Sequence, residues 1–102
     1  MARNIRTILC PIDFEDNSLC GLETAADLAR IAGATVSVLH VLVPVSSPAT
    51  SAQVDACVAV ERAVVERMEE ACSPLLNDLD YRLLTRTGDP AVCIVRTAEE
   101  QI

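Results

Sequence analysis

The sequence predicts an α/β fold, a three-layer sandwich with an open parallel sheet between helices, and three observations carry that prediction. Three apolar, β-branched runs alternate with stretches of helical period. Hydrophobic residues make up 51% of the 102 residues but aromatics only 2%, so the core must be aliphatic, as in parallel strands covered on both faces. The first run, Ile8-Leu9-Cys10-Pro11-Ile12-Asp13-Phe14, then passes through the polar turn Glu15-Asp16-Asn17-Ser18 into a helical pattern. That order puts a carboxylate at the C-terminal end of a buried strand, the rim where open α/β sheets bind ligands.

The elements follow in order. A first strand is expected over 7–14. A helix over 18–32 places Leu19, Leu22, Ala25 or Ala26, Ala29 and Ala32 on one face. Asn17 or Ser18 can cap it, and Gly33 stands where a left-handed terminal residue is wanted. The second strand, 35–43, is β-branched and closed by Pro44. Residues 44–51 are Pro/Ser-rich without period and read as a mobile loop over the strand ends. A long helix over 52–77 carries a stripe of Val54, Cys57 or Val58, Glu61, Val64 or Val65, Met68, Cys72 and Leu75. Arg62, Glu66, Arg67, Glu69 and Glu70 mark its wet side, and Pro74 is expected to end or kink it. A third strand covers 81–87. Gly88-Asp89-Pro90 then turns into a last helix, with Asp89 as cap and Pro90 at the first position.

Composition bounds the function. The length fits one domain, 1–102, near the lower size for building its own core. A net charge of −7 without a basic cluster argues against nucleic acid and anionic membrane surfaces as partners. The five cysteines are scattered singly, with no Cys-x-x-Cys and one histidine in all, a poor disulfide framework and a poor zinc site. Most are expected on apolar faces as small hydrophobes, and a reducing cytoplasmic setting is expected. No signal-peptide stretch precedes the first strand, and no apolar run approaches a membrane span.

Asp13 is the leading site candidate. At the strand end it can accept hydrogen bonds from an adenine amino group or a ribose hydroxyl; on the residues alone, capping the helix or satisfying turn amides is the commoner use of such an Asp. His40 reads as a partly buried strand residue bonded to its neighbours, since no nucleophile or metal ligand stands at a recognisable spacing. Cys10 lies beside the rim, but nothing near it in sequence would lower its pKa. Glu99-Glu100 is expected to face solvent.

The stretch 8–14, with Thr35-Val36-Ser37-Val38-Leu39-His40-Val41-Leu42 and Thr87-Gly88-Asp89-Pro90-Ala91, resembles the universal stress protein family, small α/β proteins of which many bind ATP. The resemblance runs from Arg6 to Ile102. It implies an adenine nucleotide alpha hydrolase-like sheet, ordered 3-2-1 in this chain and 3-2-1-4-5 in the family. It also implies that Pro11, Ile12 and Asp13 line an adenine and ribose pocket, with Val41 offering its backbone to the adenine edge. The implied function is adenine-nucleotide binding in stress response, with ATP or another adenine nucleotide as ligand and any hydrolysis slow and secondary; no metal site is identified from the residues, and a homo-oligomer is expected because the first strand would be left as an open sheet edge. The family's Gly-x2-Gly-x9-Gly-Ser/Thr phosphate loop has no counterpart among Gly21, Gly33 and Gly88, so the chain is expected to be C-terminally incomplete relative to the family and to hold ATP weakly. The alternative is an interaction or oligomerisation protein of the same fold that binds no nucleotide. A phosphoacceptor receiver domain is disfavoured because the third strand ends in Thr85-Arg86-Thr87 rather than Asp.

Overall fold

The computed structural model describes residues 5–43 and 51–101, with the side chains of 51–57 excepted. Six elements alternate: β1 (Thr7–Pro11), α1 (Asp16–Ala32), β2 (Thr35–Leu42), α2 (Ser51–Leu76), β3 (Tyr81–Thr87) and α3 (Pro90–Glu100). The strands form one parallel sheet in the order β1-β2-β3, the expected 3-2-1 order read from its other edge. The segment 44–50, read above as a mobile loop, lies outside the described residues, as do the side chains of Val54 and Cys57.

Strand alternation assigns the two faces of the sheet. Ile8, Cys10, Val36, Val38, Tyr81 and Leu83 face α1 and α2, where they join Leu22, Ala25, Ala26, Ala29, Met68, Cys72 and Leu76 in one core. The opposite face carries Leu9, Ser37, Leu39 and Leu84, and α3 lies over it: the Ser37 hydroxyl donates to Gln101 Oε1 at 2.9 Å. As the central strand, β2 is covered on both sides, so Val36, Ser37, Val38 and Leu39 are all fully buried.

Local signals explain most boundaries. Gly33 adopts φ 67° and ends α1, and its amide bonds back to the Ala29 carbonyl. Asp89 accepts from the Val92 amide at 3.1 Å and Pro90 opens α3.

Three expectations are corrected. β1 stops at Pro11 rather than Phe14, because the chain turns at Asp13 and Phe14 takes a positive φ of 66°. That turn starts α1 at Asp16 with Glu15 as N-cap, so neither Asn17 nor Ser18 caps it; the Ser18 hydroxyl donates instead to the Glu15 carbonyl. Pro74 neither ends nor breaks α2, which runs on to Leu76. Burying Cys72 and Leu76 completely favours the extra turn, and Pro74 itself sits on the exposed side. Arg30 of α1 reaches across to donate to the Leu75 carbonyl at 2.8 Å, satisfying an otherwise open helix-end acceptor. Among the described cysteines, Cys10 and Cys72 are buried, Cys93 is half-buried and Cys20 is exposed.

Candidate functional site

The C-terminal rim of the sheet assembles from the register of β1 and β2. Pro11 pairs with Leu39, and the Ile12 amide continues the ladder by donating to the Leu39 carbonyl at 2.8 Å. One residue further on, the chain leaves the sheet. Asp13 and Val41 each lie two positions beyond the Pro11–Leu39 pair, and so at the same end of adjacent strands. Pro11 and Asp13 are exposed, Val41 is half-buried, and Ile12 points into the core at 4% exposure. Ile12 therefore contributes backbone to the rim rather than side chain.

Asp13 is held in a turn of its own. Its Oδ1 accepts from the Glu15 amide at 2.9 Å, and its amide donates to the Ser18 hydroxyl at 3.2 Å. The Ser18 hydroxyl and the Glu15 amide hold its carboxyl below the usual carboxylate range, with a smaller contribution from the His40 side chain. The turn role considered for Asp13 is thus occupied by one oxygen. Among the described residues Oδ2 has no hydrogen-bond partner, which leaves an ionised acceptor facing solvent at the rim.

Behind the turn stands a cluster that no sequence pattern announced. Phe14 holds a left-handed backbone, a conformation that costs a non-glycine residue about 1–3 kcal/mol. Its ring lies 4.9 Å from the His40 ring, and the Arg67 guanidinium of α2 sits 4.2 Å from its centroid on the cation–π side. His40 Nδ1 meets the Ile12 carbonyl at 2.8 Å; a carbonyl only accepts, so the proton is on Nδ1. The half-buried, neighbour-bonded reading of His40 holds. Phe14, passed over as the end of a strand, and Arg67, assigned to the wet side of its helix, belong to the same cluster.

The remaining candidates lie elsewhere. Burial raises the Cys10 thiol pKa, as it does that of Cys72, which is pushed up to about 11, so neither is a thiolate nucleophile at neutral pH. Gly88 turns with φ 145°, and a Cβ there would stand 3.2 Å from Cys93 Sγ, so the glycine serves the turn. Glu99 and Glu100 are exposed, and Glu100 pairs with Arg86 at 3.4 Å. Among the described residues no group of three or more His, Cys, Asp or Glu could hold a metal ion, and no helix is long and apolar enough to cross a membrane.

A parallel sheet flanked by helices, with a carboxylate-bearing turn at its C-terminal rim, defines an open-sheet α/β protein. Residues 4–101 match the model of the universal stress protein family, and the chain belongs to that family. It is similar in fold to the hypothetical protein MJ0577, at TM-score 0.78 and 20% identity, with 97% of this chain and 70% of that one aligned. The universal stress protein UspA from Lactobacillus plantarum aligns over 99% of this chain and 72% of its own, at TM-score 0.69 and 19% identity. A universal stress protein solved in complex with cAMP aligns over 94% and 65%, at TM-score 0.59 and 20% identity. A search of curated proteins found no match.

Proposed function

We propose that this chain is an adenine-nucleotide-binding module that receives the adenosine part of its ligand at the rim formed by Pro11, Ile12, Asp13 and Val41. The observation that carries the proposal is Asp13 Oδ2, an acceptor without a hydrogen-bond partner among the described residues, on a carboxylate fixed by its own turn and set beside the end of β2. A carboxylate so held can accept from ribose hydroxyls or an exocyclic amine, and the Val41 peptide supplies one donor and one acceptor for a base edge. Family membership and the cAMP complex of one structural neighbour support an adenine compound as the ligand class. The role proposed is binding in a cytoplasmic stress response, with any hydrolysis slow and secondary; among the described residues no nucleophile–base pair stands at the rim.

Calorimetric titration with adenosine and with ATP, with and without magnesium, tests the proposal. Adenosine binding is expected, and the comparison with ATP shows what the phosphates add. Asp13→Ala should weaken adenosine by about 1–3 kcal/mol, the cost of a lost charged hydrogen-bond partner. Asp13→Asn keeps an acceptor for the Glu15 amide and separates loss of the turn from loss of the ligand contact. Unchanged affinity in both variants would return Asp13 to the turn alone.

A second function is favoured by a different observation. β1 pairs only with β2 in the described sheet, and Ile31, Val92 and Val95 are 84%, 46% and 57% exposed. Strand edges and apolar helix faces of this kind support self-association without nucleotide. Sedimentation across a concentration series, with and without adenosine, distinguishes the two: a dimer indifferent to adenosine favours assembly as the function.

A further inference from the structure

We propose that Arg67 and His40 are positioning residues that clamp the Asp13 turn, through the Phe14 ring, so that the geometry of the rim is set from α2 as well as from the sheet. Phe14 is the structural hinge of the proposal. It follows Asp13 directly and is the one non-glycine residue with positive φ among the described residues. Left to itself, a phenylalanine at that position would relax toward negative φ and carry Asp13 with it.

Two contacts oppose that relaxation. From β2, the His40 ring stacks at a tilt of 47° on Phe14 and ties its Nδ1 to the Ile12 carbonyl, so one side chain grips the chain on both sides of Asp13. From α2, Arg67 covers the ring. The ion pairs of the described residues involve Arg30 and Arg86, and among these residues the Arg67 guanidinium meets the Phe14 ring rather than a carboxylate. Phe14 itself is half-buried and packs on the core, which fixes the lever's base. Movement of α2 along its own axis would therefore be felt at Asp13, although α2 contributes no residue to the rim proposed above.

The test is amide hydrogen exchange by NMR on the intact chain without ligand, followed by adenosine titration. Arg67→Ala is a surface change and should leave global stability near its starting value. It should speed exchange of the Asp13, Glu15 and Leu19 amides about two- to fivefold, the equilibrium shift an exposed cation–π contact is worth. Arg67→Lys should restore part of the protection. His40→Asn, which retains a donor for the Ile12 carbonyl but no ring, should act in the same direction. In a Phe14→Gly background, where positive φ carries no strain, Arg67→Ala should become silent. Unchanged exchange in Arg67→Ala, or an effect that persists undiminished beside Phe14→Gly, would overturn the clamp. For adenosine affinity, which should fall with turn protection, the inference rests on the function proposed above. A protein whose turn loosens as described but which binds no adenosine would overturn that function and leave the clamp standing.

Discussion

The two faces of the sheet are built on different terms. Toward α1 and α2, the sheet closes over Leu22, Ala29, Val36, Val38, Met68, Cys72 and Leu76, none of which is solvent-exposed. Toward α3, the cover is thinner and more polar. The helix turns Thr97 inward, holds the sheet through Ser37–Gln101 and Arg86–Glu100, and leaves Val92 and Val95 in water. Both faces belong to one sheet with one register, so the difference comes from the helices. One face is fixed by close-packed aliphatic volume and the other by a few directional bonds. Stability should accordingly reside on the first face, while the rim, held by a turn and a cluster of rings, can answer to a ligand without unsettling that core.

The largest expected effect tests that asymmetry. Met68→Ala or Leu22→Ala opens a cavity at a fully buried site and should cost about 2–5 kcal/mol in denaturant unfolding. Val95→Ala on α3 should cost no more than about 0.5 kcal/mol. Comparable losses on the two faces would break the comparison.

An intermediate effect is expected at Ser37. Removing the hydroxyl in Ser37→Ala deletes its bond to Gln101 at a buried position and should cost about 1 kcal/mol. Hydrogen exchange sharpens the point: the amides of α3 should lose protection in this variant while those of β2 keep theirs. A uniform loss would mean that α3 and the core unfold as one unit.

Sequence legibility followed the same division. β3 was placed to the residue at Tyr81–Thr87, and Gly33, Asp89 and Pro90 carried their local conformations openly, since each acts through its own backbone or a near neighbour. What stayed hidden depends on contacts distant in the chain. The helical stripe puts Glu61 inside, yet it is exposed and instead accepts from Thr85 at 3.1 Å. Local propensity makes Pro74 an end or a kink of the long helix; the helix does not end there, and burial of Leu76 favours its continuation. At the rim, Asp13 and Val41 could be picked out by strand position and by resemblance. The Phe14–His40–Arg67 cluster could not, because its members come from three elements with no shared spacing.

The smallest expected effect concerns the exposed latch between α1 and the end of α2. Hydrogen bonds from Arg30 hold the Asp78 carboxyl below its ordinary range. A depressed folded-state value favours the folded protein above the unfolded carboxylate's titration, near pH 4, and that contribution disappears as pH falls through the lowered value. Arg30→Ala should therefore lower stability slightly at neutral pH and converge with the parent protein in acid, flattening a shallow acid-limb loss, and added salt should mimic it in part. A variant that is instead destabilised equally at all pH values would assign Arg30's role to its bond with the Leu75 carbonyl.

The claim that the rim binds while the packed face only supports it is tested most directly by following backbone amide shifts during titration with adenosine. The expected result is a set of saturating shifts at Ile12–Ser18 and His40–Leu42, weakened in Asp13→Ala, with Val36, Met68 and Leu76 unmoved. Saturating shifts centred on α3 or on the α1–α2 face, with the rim silent, would contradict it.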